Sequence, residues 1–317
     1  MSKVRPTSLL FLRLALASVA MYIAYRLGTM VIGQTGANER GTLALSPAEA
    51  SQAGKALLLV SLVSALVLSF LILRSRWHGL KLIGATFLVQ FGVETFMTQI
   101  ETLYFNSAVQ METSMLVGVV VAGALRALIF APLAVLILGK MRKPAQPQAR
   151  EGTAATGRGK WFVALTLLYV LVYFLFGYFV AWQWEETRLY YTGTAAIKPF
   201  FTHFGDLFQE DPVILPFQLL RGALWTCLSL VIVHMIEANR WQVSLAVALT
   251  FAVLVALPLG VFPNPYMPPM VARSHFVEIL SSMLLFGGIA GWALYRSKEQ
   301  RLATVVEHMH KKQEVRI

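Results

Sequence analysis

Charged residues are scarce in this chain, and their scarcity excludes an ordinary soluble domain. Only 14% of the 317 residues are Asp, Glu, Lys or Arg, whereas 57% are hydrophobic. Soluble domains carry about 25% charged residues. Cysteine is scarcer still, because Cys227 stands alone within an apolar segment. A single cysteine excludes an internal disulfide and a zinc knuckle, so Cys227 is interpreted as a small buried side chain.

Sequence motifs that mark common enzymes are also missing. The chain contains no nucleophile elbow, phosphate-binding loop, paired-cysteine motif or pair of haem-ligating histidines. The sequence therefore indicates no particular cofactor and leaves open whether the protein is an enzyme.

Long apolar stretches are what the chain has in quantity. Eight of them are long enough to cross about 30 Å of hydrocarbon as helices. They cover 8–32, 54–74, 79–101, 115–139, 161–182, 212–236, 241–262 and 274–295. The sequence therefore predicts an all-α fold, a polytopic membrane protein with a bundle of about eight transmembrane helices. The first stretch is interpreted as an uncleaved span because its apolar run continues to Ile32.

The basic residues of the loops predict how these helices are oriented. Of the 27 lysines and arginines, four lie within spans: Arg13, Arg26, Arg126 and Arg221. Five lie in loops on one side of the membrane: Arg40, Lys55, Arg188, Lys198 and Arg273. All the others fall on the opposite side, which predicts cytoplasmic N- and C-termini in a bacterial-type cytoplasmic (inner) membrane. This asymmetry explains the net charge of +11 without a nucleic-acid partner.

A basic stretch divides the chain into two groups of helices. Residues 1–140 hold predicted helices 1–4, and residues 161–295 hold predicted helices 5–8. Between them, 141–160 is rich in Pro, Gly and Ala and predicts a flexible basic cytoplasmic linker. Residues 296–317 predict a basic amphipathic cytoplasmic tail that binds anionic lipid headgroups. The aromatic external segment 183–211 is either an interfacial belt or a lid over an outward-facing cavity.

The third predicted span carries two glutamates where hydrocarbon is expected. A charge at the bilayer centre costs at least about 2.5 kcal/mol, so it normally faces the interior of a bundle and serves a function. In a regular helix the polar residues of this span would form one stripe, because they recur at intervals of four and three. They are Thr86, Gln90, Glu94, Thr98 and Glu101.

Polar side chains of three further spans lie at a similar predicted depth. They are Arg126 in the fourth span, Gln218 and Arg221 in the sixth, and His275 and Glu278 at the start of the eighth, with Arg273 in the loop just before it. A rise of about 1.5 Å per helical residue puts them in the outer half of the membrane or near its middle. With Glu94 and Glu101 they predict one outward-facing polar site, in which carboxylates and arginines nearly neutralise one another.

Three classes of function fit such a site. The first is binding or transport of a small polar or anionic substrate, for which the predicted binding residues are Glu94, Glu101, Arg126, Gln218, Arg221, Arg273, His275 and Glu278. The second is a membrane-embedded enzyme acting on a lipid or lipid-linked substrate, with catalytic candidates Glu94, Glu278 and His275. The third is a structural or accessory subunit of a membrane complex. A metal ion between His275 and Glu278 is disfavoured by the nearby arginines.

Overall fold

The computed structural model describes residues 6–36, 47–142, 158–262 and 267–295, and within these ranges the chain is helical and forms no strand. The twelve α-helices are α1 (Pro6–Gly36), α2 (Pro47–Leu73), α3 (Gly79–Phe91), α4 (Met97–Tyr104), α5 (Asn106–Val109), α6 (Thr113–Ile137), α7 (Arg158–Phe179), α8 (Glu185–Thr192), α9 (Phe200–Glu210), α10 (Ile214–Met235), α11 (Arg240–Val261) and α12 (Pro269–Leu294). The all-α prediction is confirmed. Most of the predicted linker, 143–157, and the whole predicted tail, 296–317, lie outside the described residues.

Eight helical segments of the described ranges are long and apolar enough to cross a membrane. They are Thr7–Val31, Ser51–Leu73, Gly79–Tyr104, Thr113–Ile137, Gly159–Gln183, Ile214–Met235, Arg240–Val261 and Pro269–Leu294. The prediction of a multi-pass membrane protein is therefore confirmed, with lipid bilayer around the bundle. The largest error is at the eighth span, which begins at Pro269 and not at residue 274. Proline is tolerated there because the first turn of a helix does not use its backbone N–H groups.

The bundle is assembled by close approaches between neighbouring spans. Helix α1 packs against α6 and α2, α10 packs against α7, and α11 packs along α12. Glycines permit the last contact, because a Cβ at Gly287 would lie 2.8 Å from Ala248 Cα and one at Gly291 would lie 2.7 Å from Ser244 Cα. Helices in lipid associate largely through such packing, since lipid tails are as apolar as leucine.

Connections at one end of the bundle are joined by backbone and side-chain hydrogen bonds. The Arg76 N–H donates to the Met235 carbonyl at 2.9 Å. Lys140 Nζ donates to the Ser75 carbonyl at 2.8 Å. Burial lowers the pKa of Lys140, and the nearby Glu237 carboxylate partly opposes that shift. We call this the linker end; helices α8 and α9 lie at the other, called the lid end.

The interpretation of Cys227 as a buried side chain is wrong, because this residue is exposed on α10. An apolar neighbourhood in the sequence indicates a buried position only in a soluble protein. In a spanning helix the lipid-facing side is also apolar, so the same pattern covers both sides of the helix.

Candidate functional site

A π-helical turn, Gly92–Phe96, interrupts the third span and contains Glu94. Such a turn holds one residue more than an α-helical turn, which rotates the following residues by about 100°. Glu94 and Glu101 therefore meet different helices, although their spacing of seven predicts a single stripe. Glu94 contacts α1 and α6, whereas Glu101 contacts α10.

The first polar group, called the Glu94 group, consists of Tyr25, Glu94, Thr95 and Arg126. The Tyr25 hydroxyl donates a hydrogen bond to Glu94 Oε1, and Arg126 Nε lies 3.3 Å from Glu94 Oε2. Arg126 Nη2 donates to Thr95 Oγ1 at 3.2 Å, and the guanidinium carbon lies 4.3 Å from the centre of the Tyr25 ring. A Cβ at Gly123 would overlap Thr95, so glycine on α6 makes room for this group. Arg126 Nε and Glu94 Oε2 form an ion pair without a hydrogen bond, and the two charges cancel.

A second ion pair joins α4 to α10. Arg221 donates from Nη1 to Glu101 Oε1 and from Nη2 to Glu101 Oε2, both at 2.6 Å. Arg221 Nη1 also lies 3.1 Å from Gln218 Oε1, one turn earlier on the same helix. A two-pronged pair of this kind fixes the orientation of both side chains.

A hydrogen-bonded chain connects the lid end with α12. The hydroxyl of Tyr191, on α8, lies 3.0 Å from His275 Nε2, and His275 Nδ1 lies 3.3 Å from Glu278 Oε2. The side-chain oxygens of Thr187 and Ser274, 2.6 Å apart, hold α8 on α12 beside this chain. Part of the aromatic segment 183–211 thus packs directly over the first turns of α12.

Tyrosines connect the second ion pair with this chain. Burial raises the pKa of Tyr191, and the carboxylates of Glu101 and Glu278 raise it further. The rings of Tyr169 and Tyr173, on α7, each lie 5.7 Å from the guanidinium carbon of Arg221, and the Tyr169 ring packs 5.5 Å from Phe286 of α12. We call the combined region the Glu101–Glu278 cluster; it consists of Glu101, Tyr169, Tyr173, Tyr191, Gln218, Arg221, His275 and Glu278.

Three donors of the cluster have no acceptor among the described residues. They are the Tyr169 hydroxyl, the Gln218 amide nitrogen and Arg221 Nε. Their side chains are fully enclosed, since Gln218 is 0% exposed, Tyr169 1% and Arg221 3%. A buried donor without an acceptor costs about 1–3 kcal/mol. Native proteins normally supply such a donor with water or a ligand.

The structure divides the predicted site residues into three sets. Five of them belong to the Glu101–Glu278 cluster: Glu101, Gln218, Arg221, His275 and Glu278. Glu94 and Arg126 pair with each other in the Glu94 group. Arg273 is exposed, and its Nη1 contacts the sulfur of Met270 at 3.6 Å, within its own helix. Nowhere in the described ranges do three or more His, Cys, Asp or Glu side chains gather to hold a metal.

Sequence reasoning missed the tyrosines of both groups. Tyr169 and Tyr173 are one turn apart in the fifth span, so their spacing alone indicates a shared face. Tyr25 follows Ala17 and Ala24 and precedes Gly28 on the buried side of α1, where a Cβ at Gly28 would lie 3.1 Å from the Ala122 carbonyl oxygen. A tyrosine beside such a small-residue face is a sign of close helix contact that the charges alone do not provide.

Comparison with family models, curated proteins and solved structures finds no match to this chain.

Proposed function

We propose that this multi-pass membrane protein binds a small polar substrate in the Glu101–Glu278 cluster and transports it across the membrane. The observation that carries the proposal is the set of three enclosed donors without acceptors beside a partly buried ion pair. Closing a bundle around unpaired donors destabilises it, and a substrate with acceptor oxygens would remove that cost. Polar groups inside a span are themselves typical of substrate pathways.

The Glu94 group has a different role in this proposal. Its carboxylate oxygens are occupied by Tyr25 and Arg126, and its charges cancel internally. It joins α1, the π-turn and α6, so its proposed role is to fix the rotation of the third span. That rotation turns Glu101 towards Arg221.

Helix α8 is the proposed gate of the site. It contacts α12 through Thr187 and reaches His275 through Tyr191. Movement of α8 would break both contacts together and open the cluster at the lid end. The basic-residue asymmetry predicts that this end faces the outside, so the substrate would enter from there.

Uptake into proteoliposomes tests the proposal. The purified full-length protein is reconstituted and offered radiolabelled amino acids, small carboxylates and phosphate, one at a time. We expect accumulation of at least one of them, reduced at least tenfold by the double substitution Glu101→Gln and Arg221→Gln, which keeps the net charge unchanged. The matched control is Lys198→Gln with Asp206→Asn, which removes an exposed ion pair at the same end. Equal uptake by the two double variants would refute the proposal.

A membrane-embedded enzyme is the second candidate, favoured by the chain Tyr191–His275–Glu278. Both ring nitrogens of His275 are engaged, which orients the imidazole for proton transfer to or from Glu278. In that case His275→Asn abolishes turnover and leaves substrate binding nearly unchanged. Mass spectrometry of proteoliposome lipids before and after incubation with the protein detects such turnover. An unchanged lipid profile excludes this candidate for the lipids supplied.

A further inference from the structure

We propose that the substrate of the Glu101–Glu278 cluster is zwitterionic, with an ammonium group at one end and a carboxylate or phosphate at the other. This inference rests on the proposed function and deepens it by assigning the chemical class of the substrate. It narrows the expectation of a small polar or anionic substrate, because both spanning arginines of the site region are already engaged by glutamates.

The charges of the cluster oppose a purely anionic ligand. Arg221 is neutralised by two hydrogen bonds to Glu101, each 2.6 Å long. Glu278 is then a second carboxylate, and its partner is the imidazole of His275. The charges of Glu101, Glu278 and Arg221 sum to one net negative charge, which only a protonated His275 would cancel. Another net negative charge in this enclosed region would be repelled, because charges interact strongly where water is excluded.

The donors of the cluster nevertheless require an acceptor. Arg221 uses Nη1 and Nη2 for Glu101, which leaves its Nε–H unpaired. The Gln218 amide nitrogen and the Tyr169 hydroxyl are unpaired as well, and all three side chains are more than nine-tenths buried. Carboxylate and phosphate oxygens are strong acceptors for such groups. The ligand therefore carries an anionic or acceptor-rich end that lies between α7 and α10.

The excess carboxylate and the tyrosine rings form a favourable environment for a cation. Glu278 lies 3.3 Å from His275, whose ring centre lies 5.7 Å from that of Tyr191. An ammonium group gains from a carboxylate and from the faces of aromatic rings together. The ligand's cationic end is thus placed beside α12 and α8, and a molecule with both ends adds no net charge to the cluster.

Two sources supply this chemistry. A free amino-acid-like solute carries an ammonium and a carboxylate, and the headgroup of phosphatidylethanolamine carries an ammonium and a phosphate. The shared feature is the pair of opposite charges on one small group. The experiment therefore has one arm for soluble probes and one for lipid.

Calorimetric titration of the full-length protein in detergent at pH 7.5 tests the inference. The soluble probes are the natural amino acids and O-phosphoethanolamine. Each probe that binds is compared with its analogue lacking the amino group and its analogue lacking the acid group. For L-leucine these are 4-methylpentanoate and isopentylamine. We expect at least one zwitterion to bind at least tenfold more tightly than both of its analogues.

Charge-changing variants sharpen the test. Glu278→Gln should weaken zwitterion binding at least tenfold and raise the relative affinity of the analogue lacking the amino group, because the repelling carboxylate is gone. Gln218→Leu, which removes a donor from the acceptor end, is a second variant and should also weaken binding. Glu185→Gln, an exposed carboxylate at the start of α8, is the matched control and should leave the affinity within twofold.

The lipid arm uses mixed micelles containing phosphatidylethanolamine or phosphatidylglycerol. If phosphatidylethanolamine displaces a bound zwitterion and phosphatidylglycerol does not, the site binds a lipid headgroup. Failure of both lipids to compete assigns it to a free solute; either result supports the inference. Anions binding as tightly as zwitterions would overturn the zwitterion assignment and leave the proposed binding function standing. If no zwitterion, anion or cation binds, both proposals fail.

Discussion

At the scale of single residues, two arginines inside the bundle are paired with glutamates in different ways. Arg221 meets Glu101 through both of its terminal nitrogens, whereas Arg126 approaches Glu94 through Nε and uses a terminal nitrogen for Thr95. Nε of neither arginine makes a hydrogen bond, but Nε of Arg126 lies 3.3 Å from a carboxylate oxygen of its own ion-pair partner. Arg221 uses both terminal nitrogens for Glu101, so its Nε is the donor left for an added acceptor.

The structural role of the Glu94 group can be tested by breaking it from either side. Glu94→Gln or Arg126→Gln leaves one buried charge without a partner, which should lower the free energy of unfolding by about 3–5 kcal/mol. The double substitution removes both charges and should cost less than the sum of the two single changes. Tyr25→Phe should cost about 1 kcal/mol, as expected for one hydrogen bond.

Denaturant unfolding of the detergent-solubilised protein, arranged as a double-mutant cycle, measures these differences. If the loss of stability in the double variant equals the sum of the two single losses, Glu94 and Arg126 do not stabilise each other. Full uptake activity in folded Glu94→Gln protein would in addition place Glu94 outside the transport mechanism. If the Glu94→Gln protein instead loses uptake activity but keeps its stability, Glu94 takes part in substrate binding or transport.

The sequence predicted that these side chains are buried but not how they pair. Glu94, Arg221 and Glu278 were expected inside the bundle because a charge facing lipid is costly, and all three are buried. The pairing depends on helix rotation, which the π-turn changes by about 100°. A turn of this kind leaves no periodic signal in the sequence, so Glu94 and Glu101 were assigned to one face.

At the scale of helices, α9 is held to α7 by aromatic contacts that include a titratable ring. His203 packs 5.0 Å from the centre of the Trp182 ring and 5.5 Å from that of Tyr178. Burial lowers the pKa of His203, and Lys198 lowers it further, while Asp206 and Glu210 oppose the shift. The neutral imidazole is therefore the form that fits this packing.

Acid should loosen α9 through this histidine. A lowered pKa in the folded state means that the contribution of His203 to stability is complete above the ordinary histidine pKa of about 6.5. The contribution is lost as the pH falls through the lowered value. Hydrogen exchange of the α9 peptides, corrected for the intrinsic pH effect, should show faster opening at pH 5 than at pH 7.5. His203→Phe should abolish that difference, and a persistent difference in this variant would contradict the assignment.

The α11–α12 contact should depend on its two glycines. Gly287→Ala or Gly291→Ala forces a methyl group against the backbone of α11 and should cost about 1–3 kcal/mol, as overpacking commonly does. Gly84→Ala, in α3, is the control because a Cβ there meets nothing within 4 Å. Thermal unfolding in detergent measures all three variants. If the two α12 variants are as stable as the control, the close approach of α11 and α12 does not contribute to the stability of the protein.

Long helices were predictable where short ones were not. A spanning helix needs about 20 apolar residues, and that length alone identified all eight segments. Helices α5, α8 and α9 have at most eleven residues each, too few to be stable alone. They depend on contacts such as the 2.6 Å bond between Thr187 and Ser274, which joins residues that are 87 positions apart. Contacts between residues so far apart in the chain cannot be predicted from sequence patterns.

At the scale of the whole molecule, the two ends of the bundle differ in construction. The linker end is joined by hydrogen bonds between its connections, such as Lys140 to Ser75. The lid end carries the short helices α8 and α9 above the Glu101–Glu278 cluster. A site that opens by movement of surface helices is expected where those helices are short and are joined to the bundle by side-chain contacts, because low local stability permits opening.

The proposed direction of transport depends on which end faces outwards, and single cysteines can determine it. In a Cys227→Ser background, a cysteine at Glu186 reports on the lid end and one at Arg142 on the linker end; both positions are exposed. The basic-residue asymmetry predicts that a membrane-impermeant maleimide labels intact cells at position 186, and at position 142 only after permeabilisation. The reverse pattern would place the cluster near the cytoplasm, and its substrate would then have to be captured inside the cell. Because the described residues contain eight spans, an even number, the same labelling also tests the predicted cytoplasmic position of both termini.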